Sequence, residues 1–173
     1  MGLFGFGKKK EPPAPRAEAP TAEQLFRDGA AAEDAKDYEK ALSLYEKAAE
    51  QGHAEAQFNC GQLYYIGVDK DLAKSLMWYE KAAQQGHAEA QFMCGLMYYV
   101  GDGAEEDKAK ALMWYEKAAE QGHAEAQFNC GQMYYNGDGT EEDEAKALMW
   151  YEKAARQGHA EAQAECDFMR MDG

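Results

Sequence analysis

The sequence predicts an all-α array of paired helices piled into a solenoid. Three observations carry that prediction. The phrase Gln51-Gly52-His53-Ala54-Glu55-Ala56-Gln57 returns in near-identical form from Gln85, Gln121 and Gln157. Its histidines fall at 53, 87, 123 and 159, so the steps are 34, 36 and 36 residues, a period typical of stacked helical repeats. Between the phrases, small and apolar residues recur at helical rather than strand spacing, as in Ala56, Cys60, Gly61 and Tyr64.

Residues 1–20 are expected to form a disordered basic, proline-rich tail. They hold four Lys/Arg against two Glu, a net of +2, and all four prolines of the chain. Such a stretch is extended and cannot build a core. Leu3, Phe4 and Phe6 precede Lys8-Lys9-Lys10, the wrong order for a secretory signal. Phe6 also breaks the N-myristoylation pattern. The segment reads as a passive leader, with contact to an anionic membrane as the alternative. No stretch is long enough to span a membrane, and a cytoplasmic protein is expected.

Residues 21–173 are expected to form one repeat domain, with units at about 21–52, 53–86, 87–122 and 123–158 and a cap at 159–173. The first unit should place helices near 21–34 and 38–50. In later units helix A is typified by Ala54 to Ile66 and helix B by Leu72 to Ala83. Gly52, Gly86, Gly122 and Gly158 follow each helix B, and Gly67, Gly101 and Gly137 follow helix A, where a left-handed residue ends a helix. The loop after helix A is two residues shorter in the second unit, which explains the shorter step. The last helix carries Asp167 and Arg170 where earlier copies have glycine and tyrosine, a polar end suited to a finite stack.

Gly61, Gly95 and Gly131 stand in mid-helix, at a cost of about 1 kcal/mol each against alanine. A steric reason is expected: the missing side chain lets helix B approach, with Ala82-Ala83 opposite and Tyr79 filling the rest of the interface.

These residues resemble a known family. The third unit reads Ala90, Cys94-Gly95, Tyr98, Gly101, Lys110-Ala111, Trp114-Tyr115, Lys117-Ala118-Ala119 and Gly122. That pattern is similar to the Sel one-like repeat, a relative of the tetratricopeptide repeat, over about 50–173. Residues 21–49 look more like a tetratricopeptide unit. The resemblance implies a right-handed α-α superhelix that holds other proteins, often as an adaptor. Cys60, Cys94, Cys130 and Cys166 depart from it, since the family usually has an aliphatic residue there.

The repeat geometry argues against most catalytic chemistry. Equivalent positions in successive units lie about 10 Å or more apart, too far for a disulfide or a shared zinc ion. Each cysteine follows its histidine by seven residues, about two helical turns. The cysteines read as buried free thiols and the histidines as caps or packing residues. The acidic loops at 102–107 and 138–143 lack the order of a calcium loop and suit helix N-termini instead. The only serines are Ser43 and Ser75, both in helix B, and no phosphate-cradling loop is present. No catalytic residue, metal or cofactor is expected. Residues 21–173 hold 14 Lys/Arg against 30 Asp/Glu, a net of −16, which disfavours nucleic acid.

The expected activity is non-enzymatic binding of a protein or peptide. If Cys60, Gly61 and Tyr64 face inward, the neighbouring stripe is Glu55, Phe58, Gln62 and Tyr65. Its equivalents are Glu89, Phe92, Leu96 and Tyr99, then Glu125, Phe128, Gln132 and Tyr135. The resemblance implies that this stripe lines a concave groove. The alternative for the phenylalanines is to join neighbouring A helices, and Trp78, Trp114 and Trp150 are expected between repeats. A membrane-surface adaptor and a hydrolase are the other function classes considered.

Overall fold

The computed structural model describes residues 19–67 and 70–171. The expected tail therefore lies outside the described residues, apart from its last two positions. Among the described residues there are nine α-helices and no strand. They are α1 (Ala22–Asp34), α2 (Tyr38–Glu50), α3 (Ala54–Ile66), α4 (Leu72–Gln84), α5 (Ala88–Val100), α6 (Lys108–Glu120), α7 (Ala124–Asn136), α8 (Glu144–Arg156) and α9 (Ala160–Met171). Each helix packs on its predecessor and its successor. The chain is an all-α solenoid of four helical pairs closed by a single helix.

Helix B ends in the same way in each unit. Gly122 takes φ +92°, a conformation that costs a glycine little. The chain turn there lets His123 N–H reach back to the Ala118 carbonyl at 3.1 Å, which satisfies one of the orphan groups at the helix end. Helix B starts on an aspartate: the side chains of Asp71, Asp107 and Asp143 each accept a hydrogen bond from the backbone N–H three residues on. The acidic loops thus supply the N-caps of α6 and α8.

The mid-helix glycines have a different partner from the one expected. It is a tyrosine ring, not the alanine pair, that lies over each of them. A Cβ built on Gly61 would stand 2.6 Å from the Tyr79 ring, and one on Gly131 would stand 2.5 Å from Tyr151. The first unit repeats the arrangement with Gly29 and Tyr45. Helix B presents tyrosine here because its ring fills the volume that the glycine leaves, and the buried hydroxyl ends can still find polar partners, as Tyr45 does in donating to Glu33 at 2.7 Å. Ala82-Ala83 and Ala118-Ala119 on the same helices are buried too.

The cysteines are buried free thiols, Cys60, Cys94, Cys130 and Cys166. Burial pushes all four thiols above their ordinary pKa. The three tryptophans are buried as well, each with a lysine ammonium over its ring; Lys81 sits 4.0 Å from the Trp78 centroid. At the end of the stack, Arg170 donates to Glu152 at 2.7 Å. Tyr64, Tyr98 and Tyr134 make the same contact with Glu46, Glu80 and Glu116, so the cap keeps the hydrogen bond while changing its donor.

Candidate functional site

The repeated phrase is a joint between units, and it explains why the surface beside it is shaped as it is. His123 is the N-cap of α7: its Nδ1 accepts from Ala126 N–H at 3.2 Å. That fixes the ring proton on Nε2, which donates to Glu89 of the preceding unit at 3.0 Å. The ring stacks on Phe92 of the same preceding unit, with centroids 4.6 Å apart. His87 and His159 repeat all three contacts with Phe58 and Glu55, and with Phe128 and Glu125. His53 does so with Phe26 and Glu23. The hydrogen bond from His53, with Arg27 beside it, holds the Glu23 carboxyl below the usual carboxylate range.

The glutamines of the phrase finish the joint. Gln127 is buried and donates to the Ala119 carbonyl at 3.0 Å. Gln121, just after α6, donates to Gln91 on α5 of the same unit at 2.7 Å. A buried amide that both donates and accepts, as Gln127 does with Ala119 and Gln157, costs little and fixes register.

The expected partner stripe therefore divides in two. Phe58 and Phe128 are buried, and Phe92 is half-buried; their rings lie between the histidine of the next unit and the tyrosine of helix B, such as Tyr115 at 5.7 Å from Phe92. Glu55, Glu89 and Glu125 are exposed, although one oxygen of each already faces a histidine. Gln62, Gln132 and Tyr135 are exposed, and Tyr65, Leu96 and Tyr99 are half-buried.

Between α5 and α7 the stripe opens into a cavity of 360 Å³. Leu96, Tyr99 and Val100 form one wall, Asn129, Gln132 and Asn136 the other, and Tyr115 lies behind them. Tyr99 donates to Asp138 at 3.3 Å, and Lys108 pairs with the same carboxylate at 2.7 Å. That hydrogen bond to Asp138 raises the Lys108 pKa. Burial is the largest cause of the raised Tyr99 pKa, with Asp138 adding to it. Both groups keep their protons at neutral pH, and both are engaged with Asp138 at this edge.

The sequence reading missed part of this surface. Asn59, Met93 and Asn129 share the stripe one turn after the glutamates, and Val100 and Asn136 lie at its far end. Aligning the three A helices by their histidines would have found them, because these positions vary while the joint does not.

Ser75 is fully buried and donates to the Gly61 carbonyl at 2.8 Å. Among the described residues no three His, Cys, Asp or Glu side chains converge as a metal site, and no helix is long and apolar enough to cross a membrane.

The Sel1 repeat model matches residues 24–53, 54–87, 88–123 and 124–159. Among solved structures, the chain is similar to a protective antigen of uropathogenic Escherichia coli with an SLR fold, at 36% identity and a TM-score of 0.81 over 86% of this chain. It is also similar to a Sel1 repeat protein from Oxalobacter formigenes, at 38% identity and a TM-score of 0.75 over 82% of this chain. A third likeness is to cysteine rich protein B of Helicobacter pylori, at 26% identity and a TM-score of 0.59 over 75% of this chain and 94% of that one. The matches cover 33% of the E. coli chain and 59% of the O. formigenes chain. No curated protein matches the chain. Proteins built from these repeats are generally protein-interaction scaffolds and are typically non-catalytic. With four units matched along most of its length, this chain belongs to the Sel1 repeat family.

Proposed function

We propose that this chain is a non-enzymatic scaffold or adaptor that holds a peptide or protein segment across the concave face formed by α3, α5 and α7. The observation that carries this reading is the open cavity between α5 and α7, which gathers apolar, amide and phenolic side chains that the joint does not use. Clustered aromatic and aliphatic groups with polar neighbours are what a docking segment exploits. Tyr65, Tyr99, Tyr135, Gln62, Leu96 and Gln132 would touch the partner directly. Glu55, Glu89 and Glu125 would attract it, and Phe58, Phe92 and Phe128 would act by fixing the spacing of the helices beneath.

Site-specific photo-crosslinking tests this. A photoreactive residue at Leu96 is expected to trap a protein partner in cells, whereas the same residue at Met113 on α6 is not. Tyr65→Ala with Tyr99→Ala should weaken capture by about tenfold or more. Trapping only from Met113, or capture unaltered by the tyrosine changes, would move the binding face elsewhere.

A further inference from the structure

The three A helices are near copies, so the places where they differ carry information. Asn59 and Gln62 on α3 recur as Asn129 and Gln132 on α7. The middle helix α5 has Met93 and Leu96 instead. All six lie on the A-helix stripe; Leu96, Asn129 and Gln132 line the cavity, and Met93 is half-buried one turn before Leu96. Val100, one turn beyond Leu96, is 52% exposed.

The fold does not ask for apolar residues in the middle helix. The same slots accept asparagine and glutamine twice in this chain, with helices of the same length and the same joint. The glutamines of the joint are buried and bonded, whereas Gln62 and Gln132 are exposed. A half-open apolar row flanked on both sides by amides is a seat for a ligand side chain, with donors and acceptors for the ligand backbone.

Resting on the binding face proposed above, we infer that the groove takes an extended segment of a partner protein carrying one bulky aliphatic residue flanked by lysine or arginine. The aliphatic side chain enters the row of Met93, Leu96 and Val100. The exposed amides of Gln62 on one side and of Gln132 on the other bond the segment's main chain. Only an extended segment leaves its N–H and C=O groups free for them, since a helix satisfies its own. Neighbouring A helices stand about 10 Å apart, and an extended chain advances about 3.3 Å per residue, so the amides meet the segment about three residues either side of its anchor. Basic flanks follow from charge. Glu55, Glu89 and Glu125 stand at the start of the same stripes, each about half exposed, on a body of net charge −16 over residues 21–173.

Selection of a displayed random nonapeptide library on the full chain tests this, followed by fluorescence anisotropy with the enriched peptides. Enriched peptides should share one Leu, Ile or Met with Lys or Arg on both sides. They should bind Met93→Asn/Leu96→Gln at least about tenfold more weakly, while that variant melts as the parent does. Enrichment of acidic or anchor-free peptides, or undiminished binding to the double variant by peptides that Tyr99→Ala abolishes, overturns this specificity and leaves the binding face standing. A library yielding no binder sensitive to Tyr99→Ala overturns both.

Discussion

The Tyr115 ring occupies the space that a side chain on Gly95 would need. A Cβ built there would stand 2.5 Å from ring Cδ1 and 2.6 Å from Cε1, and the ring cannot retreat because Tyr115 is 2% exposed. Gly95→Ala gains about 1 kcal/mol of helix propensity but must displace a locked ring, at about 1–3 kcal/mol. The clash is expected to win, and Gly95→Leu to cost more. Urea unfolding checks this, with the double-mutant cycle as control: in a Tyr115→Ala background, Gly95→Ala should become neutral or stabilising. Simple additivity of the two changes would contradict the close approach.

Histidine 123 offers a second test. His123→Ala removes an N-cap worth about 1 kcal/mol and an aromatic stack worth about 0.5–1.5 kcal/mol. His123→Asn keeps the cap and removes the stack and the Glu89 contact. The asparagine variant should therefore be the more stable of the two, by about 1 kcal/mol. Hydrogen exchange of α7 amides locates the effect, because in a stacked array the loss should fall on the two units that meet there.

Alkaline pH should destabilise the array. Burial raises the pKa of the Cys60, Cys94 and Cys130 thiols and of the Tyr79 and Tyr115 hydroxyls. The unfolded chain ionises at ordinary values, about 8.5 for a thiol and about 10 for tyrosine. Above these the unfolded state binds fewer protons than the native one, so stability falls as pH rises. The contribution is whole below about pH 8 and is lost progressively above it. Urea midpoints that stayed level from about pH 7 to about pH 10.5 would contradict the burial of these groups.

Thiol reagents probe the same burial. At neutral pH the folded chain should react slowly or not at all, and four thiols should titrate once it is denatured. Fast reaction of one thiol in the native state would identify a unit that opens locally.

Much of this architecture was legible because the chain prints its own alignment. Helix A from Ala54 to Ile66 and the left-handed glycines follow from residues that recur in register, and the polar cap follows from Arg170, where the recurrence breaks. The glycine–tyrosine pairs were only half legible. Sequence put Gly95 and Tyr115 in one interface, but which neighbour covered the glycine depends on helix rotation, which no spacing specifies. The cap at His123 was legible, but its stack on Phe92 and its bond to Glu89 were hidden for a similar reason, since those two lie more than thirty residues earlier and meet it only when the units stack. In the partner stripe, periodicity could not separate Phe92, pressed into the joint, from Leu96, open to the cavity, because the two stand one turn apart.

Every contact of that joint that leaves its own unit, from His123 to Glu89 and Phe92 and from Gln127 to Ala119, reaches the unit just before it. A block of 36 residues, the spacing from His87 to His123, brings both halves of its fastening along. Duplication can thus lengthen the array without redesign of its neighbours, while the few variable positions on helix A remain free to be rewritten. New recognition can then be composed block by block, on a spine whose grammar stays unchanged.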